Sequence, residues 1–214
     1  LQHRITNLYM TDLRHQCLIY EGAPSKQLQK IGCIIQGKLA EGYQCLYLNS
    51  VPMISGMRYT LSALGVDVVS EIEKNALVLS SEPVTVNGVF NVDAMLEQLE
   101  DSLDQALSNG YKGLWASGDM TWEFGAKQDF SKLMEYEFKL EELIAKRHEL
   151  CGICQYHNDT LPNDAIRLSL LAHQGIVINE TLSRINPHYL KSNWPVDQET
   201  ALQLDEMITL LCKS

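Results

Sequence analysis

Residues 15–48 read HQCLIYEGAPSKQLQKIGCIIQGKLAEGYQCLYL, and this stretch decides the fold class. The apolar run Cys17-Leu18-Ile19-Tyr20 has the length of a buried strand, and the turn Glu21-Gly22-Ala23-Pro24-Ser25 follows it. Next, Leu28, Ile31, Ile35 and Leu39 recur at three- and four-residue spacing until Gly42, the signature of an amphipathic helix that Pro24 is suited to open. Cys45 to Leu48 is a second strand. Strand, helix and strand within 34 residues is the unit from which parallel sheets covered by helices are built.

The pattern continues along the chain. Met53 to Leu64 reads as a helix ended by Gly65, and Val66, Val68 and Val69 read as a third strand. Residues 71 to 90, with Pro83 and the hairpin-favouring pair Asn87-Gly88, read as a short edge excursion. From Asn91, the apolar positions Val92, Met95, Leu96, Leu99, Leu103, Ala106 and Leu107 share one helical face, stopped by Asn109-Gly110. Tyr111 to Ser117 is a buried strand, Asp129 to His148 a long helix, and Leu150 to Tyr156 another strand. Pro162 opens a helix through Leu171, and Ile176 to Ile178 is the last clear strand. Residues 183 to 196 read as a loop and Glu199 to Leu211 as a terminal helix, which either packs back on the domain or pairs across a homodimer. The expected architecture is three-layer α/β/α with a mostly parallel sheet of about five to seven strands.

Composition is that of an ordinary globular chain. Hydrophobic residues make up 45% and charged residues 21% of 214 residues, which excludes collagen-like, coiled-coil and disordered classes. Seventeen basic against 27 acidic residues leave a formal charge of −10 and no basic stripe, so direct nucleic-acid binding is not expected. No apolar run reaches the length of a membrane span and the first 20 residues lack a signal-peptide core, so the chain reads as cytoplasmic. Six cysteines lie mostly in apolar stretches, as buried free thiols do. A start at Leu1 points to a piece of something longer.

Ligands of such sheets sit beyond the carboxyl ends of the strands, and those positions are polar here: Tyr20 and Glu21, Asn49 and Ser50, Ser117, Asp119, Trp122 and Glu123, and Tyr156 and His157. Each alone is an ordinary solvent-facing strand end; their recurrence suggests a small-molecule pocket. Gly22 to Gln27 occupies the place of a phosphate-binding loop but lacks its second glycine, carries Pro24 without an N–H, and has Gln27 where Ser or Thr should stand. Nucleotide hydrolysis is therefore not expected, although Ser25 and Lys26 at a helix start suit a small anion. Asp119 is either a remnant magnesium ligand or the cap of the following segment. Cys151 and Cys154, with His157 nearby, have a metal-like spacing, but a strand puts the two thiols on opposite faces and core packing is favoured. His15, His157 and His173 read as separately satisfied rather than as a metal set. No firm cofactor is expected.

Taken in order, His15 to Glu21, Gly42 to Tyr47, Gly118-Asp119-Met120-Thr121-Trp122, Tyr136-Glu137, Cys154-Gln155-Tyr156-His157 and His173 resemble the MEDS domain, the sensory domain named from methanogen and methylotroph dichloromethane regulators. The resemblance runs from about His15 to Ile178. It implies a fold similar to RecA- and KaiC-like ATPases without a functional phosphate loop, in regulators and sensor histidine kinases that recognise small molecules such as hydrocarbon derivatives. Its polar positions fall on His15, Tyr20, Glu21, Asp119, Trp122, Glu137, Tyr156 and His173, while His157 departs from the acidic residue expected there. The resulting expectation is a non-enzymatic sensory domain over residues 1–182, with 183–214 leading to a kinase or DNA-binding output module. A degenerate nucleotide-binding domain and a metal or redox sensor are the alternatives.

Overall fold

The computed structural model describes residues 13–82, 84–86, 89–123, 130–179, 182–189 and 197–213. In chain order the elements are β1 (His15–Tyr20), α1 (Gln27–Glu41), β2 (Gln44–Leu48), α2 (Val51–Ala63), α3 (Val68–Glu73), β3 (Leu77–Ser80), β4 (Thr85–Val86), β5 (Val89–Phe90) and α4 (Val92–Ser108). There follow β6 (Leu114–Asp119), α5 (Met120–Glu123), α6 (Leu133–Lys146), β7 (Leu150–His157), α7 (Asn163–Ala172), β8 (Gly175–Asn179), β9 (Leu182–Ile185) and α8 (Gln198–Cys212). Seven strands form one sheet in the order β3-β2-β6-β7-β1-β8-β9, parallel throughout except for β9. The expected mostly parallel α/β architecture is what the chain adopts.

Both faces of the sheet are covered, which is why its strands are near-continuously apolar. Leu18, Tyr20, Cys45, Tyr47, Trp115, Ile153 and Val177 pack under α1 to α3 through Ile31, Ile35, Met57 and Leu61. The alternate residues Cys17, Ile19, Leu46, Leu48, Cys154 and Tyr156 pack under α4, α6, α7 and α8 through Leu103, Leu140, Ile166 and Leu204. Residues two apart share a face, so one register shift would exchange these two cores.

Two local readings change. Val66 to Val69 is not a strand: Asp67 accepts a hydrogen bond from the Ser70 N–H at 3.1 Å and caps α3, a local interaction that outweighs the β preference of the valines. The edge beside β2 is taken by Leu77 to Ser80, in parallel register and within the stretch read as an edge excursion, while Thr85–Val86 and Val89–Phe90 form a separate antiparallel pair; Pro83 and Asn87-Gly88 lie outside the described residues. Within the stretch expected to be loop, β9 pairs antiparallel with β8, and Asn186 is buried, its side chain donating to Leu170 O and to His173 O (2.8 Å to the latter). The terminal helix packs back on the domain through Leu204, Ile208 and Leu211, and Arg167 of α7 grips Asp205 with two hydrogen bonds of 2.8 and 2.7 Å.

At Gly152, β7 approaches β6 so closely that a Cβ would lie 2.3 Å from Ala116 O, whereas exposed Gly37 in α1 has open space around it. Gly152→Ala should lower the stability by about 2 kcal/mol or more through forced overpacking, and Gly37→Ala should raise it by about 0.5–1 kcal/mol through helix propensity; urea midpoints read both. Leu204→Ala should cost about 2–5 kcal/mol and leave a single unfolding transition, as expected of a helix that shares the main core; an independent transition for α8 would contradict that packing.

Candidate functional site

The first constellation stands where the carboxyl ends of β1, β6 and β7 meet. Tyr20 and Asp119 end their strands on the α1 side of the sheet, and the Tyr20 hydroxyl donates to Asp119 Oδ2 at 3.0 Å. The other Asp119 oxygen accepts the Thr121 N–H at 2.9 Å, so Asp119 does cap the segment that follows it. Burial and the adjacent carboxylate push the Tyr20 hydroxyl well above its ordinary pKa, so it remains a donor. The His157 ring stacks on Tyr20 with centroids 4.9 Å apart, because the register pairs Tyr20 with His157.

His157 also closes the loop after β1. Its Nε2–H donates to Gly22 O at 2.8 Å, its Nδ1 accepts from the Thr160 hydroxyl at 2.7 Å, and the Gly22 N–H donates to Asp159 Oδ2 at 2.7 Å. The Gly22 amide, which a phosphate loop would turn towards an anion, is thus engaged by a carboxylate. The Lys26 N–H is likewise engaged by Ala23 O at 3.0 Å. Glu21, Ser25 and Lys26 are exposed on this loop. Asn49 is buried: its amide donates to the Tyr47 hydroxyl at 3.0 Å and its Oδ1 accepts the Ser50 N–H at 2.8 Å. On the same side of the sheet the buried Gln155 amide donates to the Ser117 hydroxyl at 3.0 Å, so a second buried polar pair lies beneath the crest. Trp122 and Glu123 lie on the backbone of α5, directly after Asp119; their side chains fall outside the described residues.

The second constellation lies on the opposite face, between the sheet and helices α6 and α7. His15, Glu137, Cys154 and His173 are all buried, and their donor atoms lie within 4.8 Å of one another. His15 Nε2 is 3.5 Å from Glu137 Oε2 and 3.7 Å from Cys154 Sγ, and His173 Nε2 is 3.3 Å from Glu137 Oε2. The rest of each group is anchored from outside. His15 Nδ1–H donates to Glu141 Oε2 at 2.9 Å, His173 Nδ1–H donates to Ser169 O at 2.7 Å, and the Tyr156 hydroxyl donates to Glu137 Oε1. Glu141 is held by Gln174 and Tyr189 at 2.6 and 2.7 Å.

Electrostatics follow burial. Desolvation raises the Glu137 carboxyl above the ordinary carboxylate range, with His15, Tyr156 and Cys154 pulling against it. Desolvation also works on the half-buried Glu141, but the hydrogen bonds from His15 and Tyr189 outweigh it and hold that carboxyl below its usual value. His173 is driven far below the ordinary imidazole value by burial, and so is neutral.

The residues expected at one pocket therefore divide. Tyr20, Asp119 and His157 converge at the crest, while Tyr156 faces the opposite way, because it follows the parity of Cys154 rather than that of His157. His15 and His173 are not separately satisfied: their rings lie 4.0 Å apart in the buried cluster, whereas His157 belongs to the crest and Cys151 to the other face. Glu141, Asp159, Tyr47 and Gln155 were not read as site residues. For Glu141 a signal existed, since it lies one helical turn from Glu137 on α6.

Comparison with known proteins places this geometry in a family. A solved structure of an uncharacterized protein, PH0321, from Pyrococcus horikoshii, in complex with an unknown peptide, superposes with a TM-score of 0.56 over 80% of this chain and 81% of that one, at 14% identity, which supports the fold alone. The "Transcriptional repressor DcmR" of Methylorubrum extorquens is 25% identical over 160 residues, 75% of this chain and 58% of the repressor, so the chain spans a little over half of that relative. The family described as MEDS, "MEthanogen/methylotroph, DcmR Sensory domain", matches residues 14–174, a span that contains both constellations. The chain belongs to the MEDS family of sensory domains.

Proposed function

We propose that this chain is the non-enzymatic, small-molecule-sensing part of a transcription or signalling regulator, and that it recognises its ligand at the crest formed by Tyr20, Asp119 and His157. The observation that carries this reading is the convergence of those three side chains from three separate strands at the carboxyl edge of the sheet. Tyr20 and Asp119 are buried and only His157 is partly exposed, so their ring stack and carboxylate would suit a small, partly polar organic molecule that enters as the loop after β1 opens. Trp122 and Glu123 adjoin it in sequence.

A ligand is sensed only if it binds two states of the protein unequally. The loop closed by Gly22, His157 and Asp159 supplies such a difference, since a ligand that hydrogen-bonds His157 or Asp159 competes with Gly22. Release of that loop alters the start of α1, which covers one face of the sheet together with α2 and α3. An attached or partner output module would read that change. Among the described residues no helix is long and apolar enough to cross a membrane.

Native mass spectrometry of the purified protein, followed by thermal-shift screening against small alcohols, amines and halogenated hydrocarbons, should reveal a stabilising ligand. Asp119→Asn and His157→Ala should then weaken its binding by about tenfold each, the loss of one good hydrogen bond. Ser25→Ala, on the exposed loop, should leave it unchanged. Wild-type affinity in both crest variants would place the ligand elsewhere.

A further inference from the structure

We propose that His15, Glu137, Cys154 and His173 bind one divalent transition-metal ion, with zinc the metal best matched to the donor set. The proposal is independent of the sensory reading, because it concerns the opposite face of the sheet.

Spacing is the first argument. Zinc bonded at about 2.0–2.1 Å to nitrogen and oxygen and about 2.3 Å to sulfur has tetrahedral edges of about 3.3–3.6 Å. Three of the contacts in the cluster measure 3.3, 3.5 and 3.7 Å. Drawing the widest pair, which is within 4.8 Å, onto the same ion takes about an ångström of side-chain movement.

Lone-pair direction is the second. His15 and His173 each spend Nδ1–H on an outer acceptor, Glu141 Oε2 and Ser169 O, which leaves both Nε2 lone pairs facing Glu137 and Cys154. Glu137 spends Oε1 on Tyr156 and turns Oε2 inwards. An imidazole that donates its far N–H to a carboxylate or a backbone carbonyl, and a carboxylate bonded from behind, are the supports that metal ligands receive. Here the supports are themselves supported, since Gln174 and Tyr189 fix Glu141.

The third argument is what the inner atoms lack. Glu137 Oε2 and His173 Nε2 are fully buried and make no hydrogen bond, although they lie 3.3 Å apart. Two unmatched polar atoms facing each other in a dry interior are costly unless a proton or a metal ion lies between them. A proton shared by that pair, on the carboxyl or on the imidazole, would draw it to about 2.8 Å; a metal ion keeps the two atoms near their present separation of 3.3 Å. Borderline-soft nitrogen and sulfur donors with one carboxylate select zinc, or iron and cobalt of the same charge, over magnesium or calcium. Four protein donors close the coordination sphere, so the ion is structural and joins β1, α6, β7 and the end of α7.

The test uses the whole chain, purified without chelator, with metal measured by inductively coupled plasma mass spectrometry. Zinc at about one ion per chain is expected. Refolding with cobalt(II) instead should give the visible bands of a tetrahedral site together with a thiolate-to-cobalt band in the near ultraviolet. Cys154→Ser should abolish the near-ultraviolet band, His173→Gln should cut metal content at least tenfold, and Cys33→Ser, outside the cluster, should change neither. Should the cluster variants fail to fold, the wild-type chain decides: unfolded with chelator, it should regain its native circular dichroism and melting temperature only when zinc or cobalt is restored. Folded protein with less than about 0.1 metal ion per chain, before and after refolding with zinc, would overturn the proposal, as would a cobalt spectrum unaltered by Cys154→Ser.

Discussion

A carboxylate with no access to water is the constraint around which half of this domain is arranged. Glu137 is fully buried in the middle of an apolar layer, and a charge in that position must be met by partners or it neutralises. Four elements supply the surroundings. β1 brings His15, β7 brings Cys154 and Tyr156, the end of α7 brings His173, and the next turn of α6 brings Glu141 to steady His15 from behind. The segments that close the core on that side answer to the same group, for Asn186 locks the end of α7 by donating its side-chain amide to the carbonyls of Leu170 and His173, and the Tyr189 hydroxyl donates to Glu141.

The sheet turns one polar population into two. Because β1 and β7 are parallel and in register, Cys17 lies beside Cys154 and Tyr20 beside His157. Odd and even positions then part company: one set lines the dry cluster under α6 and α7, the other rises to the crest under α1. A domain of modest size thereby keeps a buried polar knot on one face and a polar crest, capped by the partly exposed His157, on the other, with an apolar core on each side.

Much of the fold was legible because alternation of short apolar runs with helical periods is a local property, carried by residues such as Leu28, Ile31, Ile35 and Leu39. What escaped was set by competition between local and distant interactions. Asp67 turned a valine-rich run into a helix, and β9 has no apolar run of its own to announce it, since it pairs along the sheet edge through its backbone. The site was legible as a set of residue types but not as two places. Cys154 and His15 are 139 residues apart, and only the β1–β7 register, which no single sequence displays, puts them in contact. The family resemblance singled out His15, Glu137 and His173 without saying that they face one another, while strand parity, applied to Tyr156, would have moved it to their side.

The clasp on the loop after β1 has a spectroscopic consequence. Gly22 is bound by one amide hydrogen bond to a half-exposed side chain, whereas the amides of β1 are tied into the sheet. Its hydrogen-exchange rate therefore reports loop opening on its own, decoupled from unfolding of the sheet, and this one backbone proton serves as an internal clock for the motion that sensing would require.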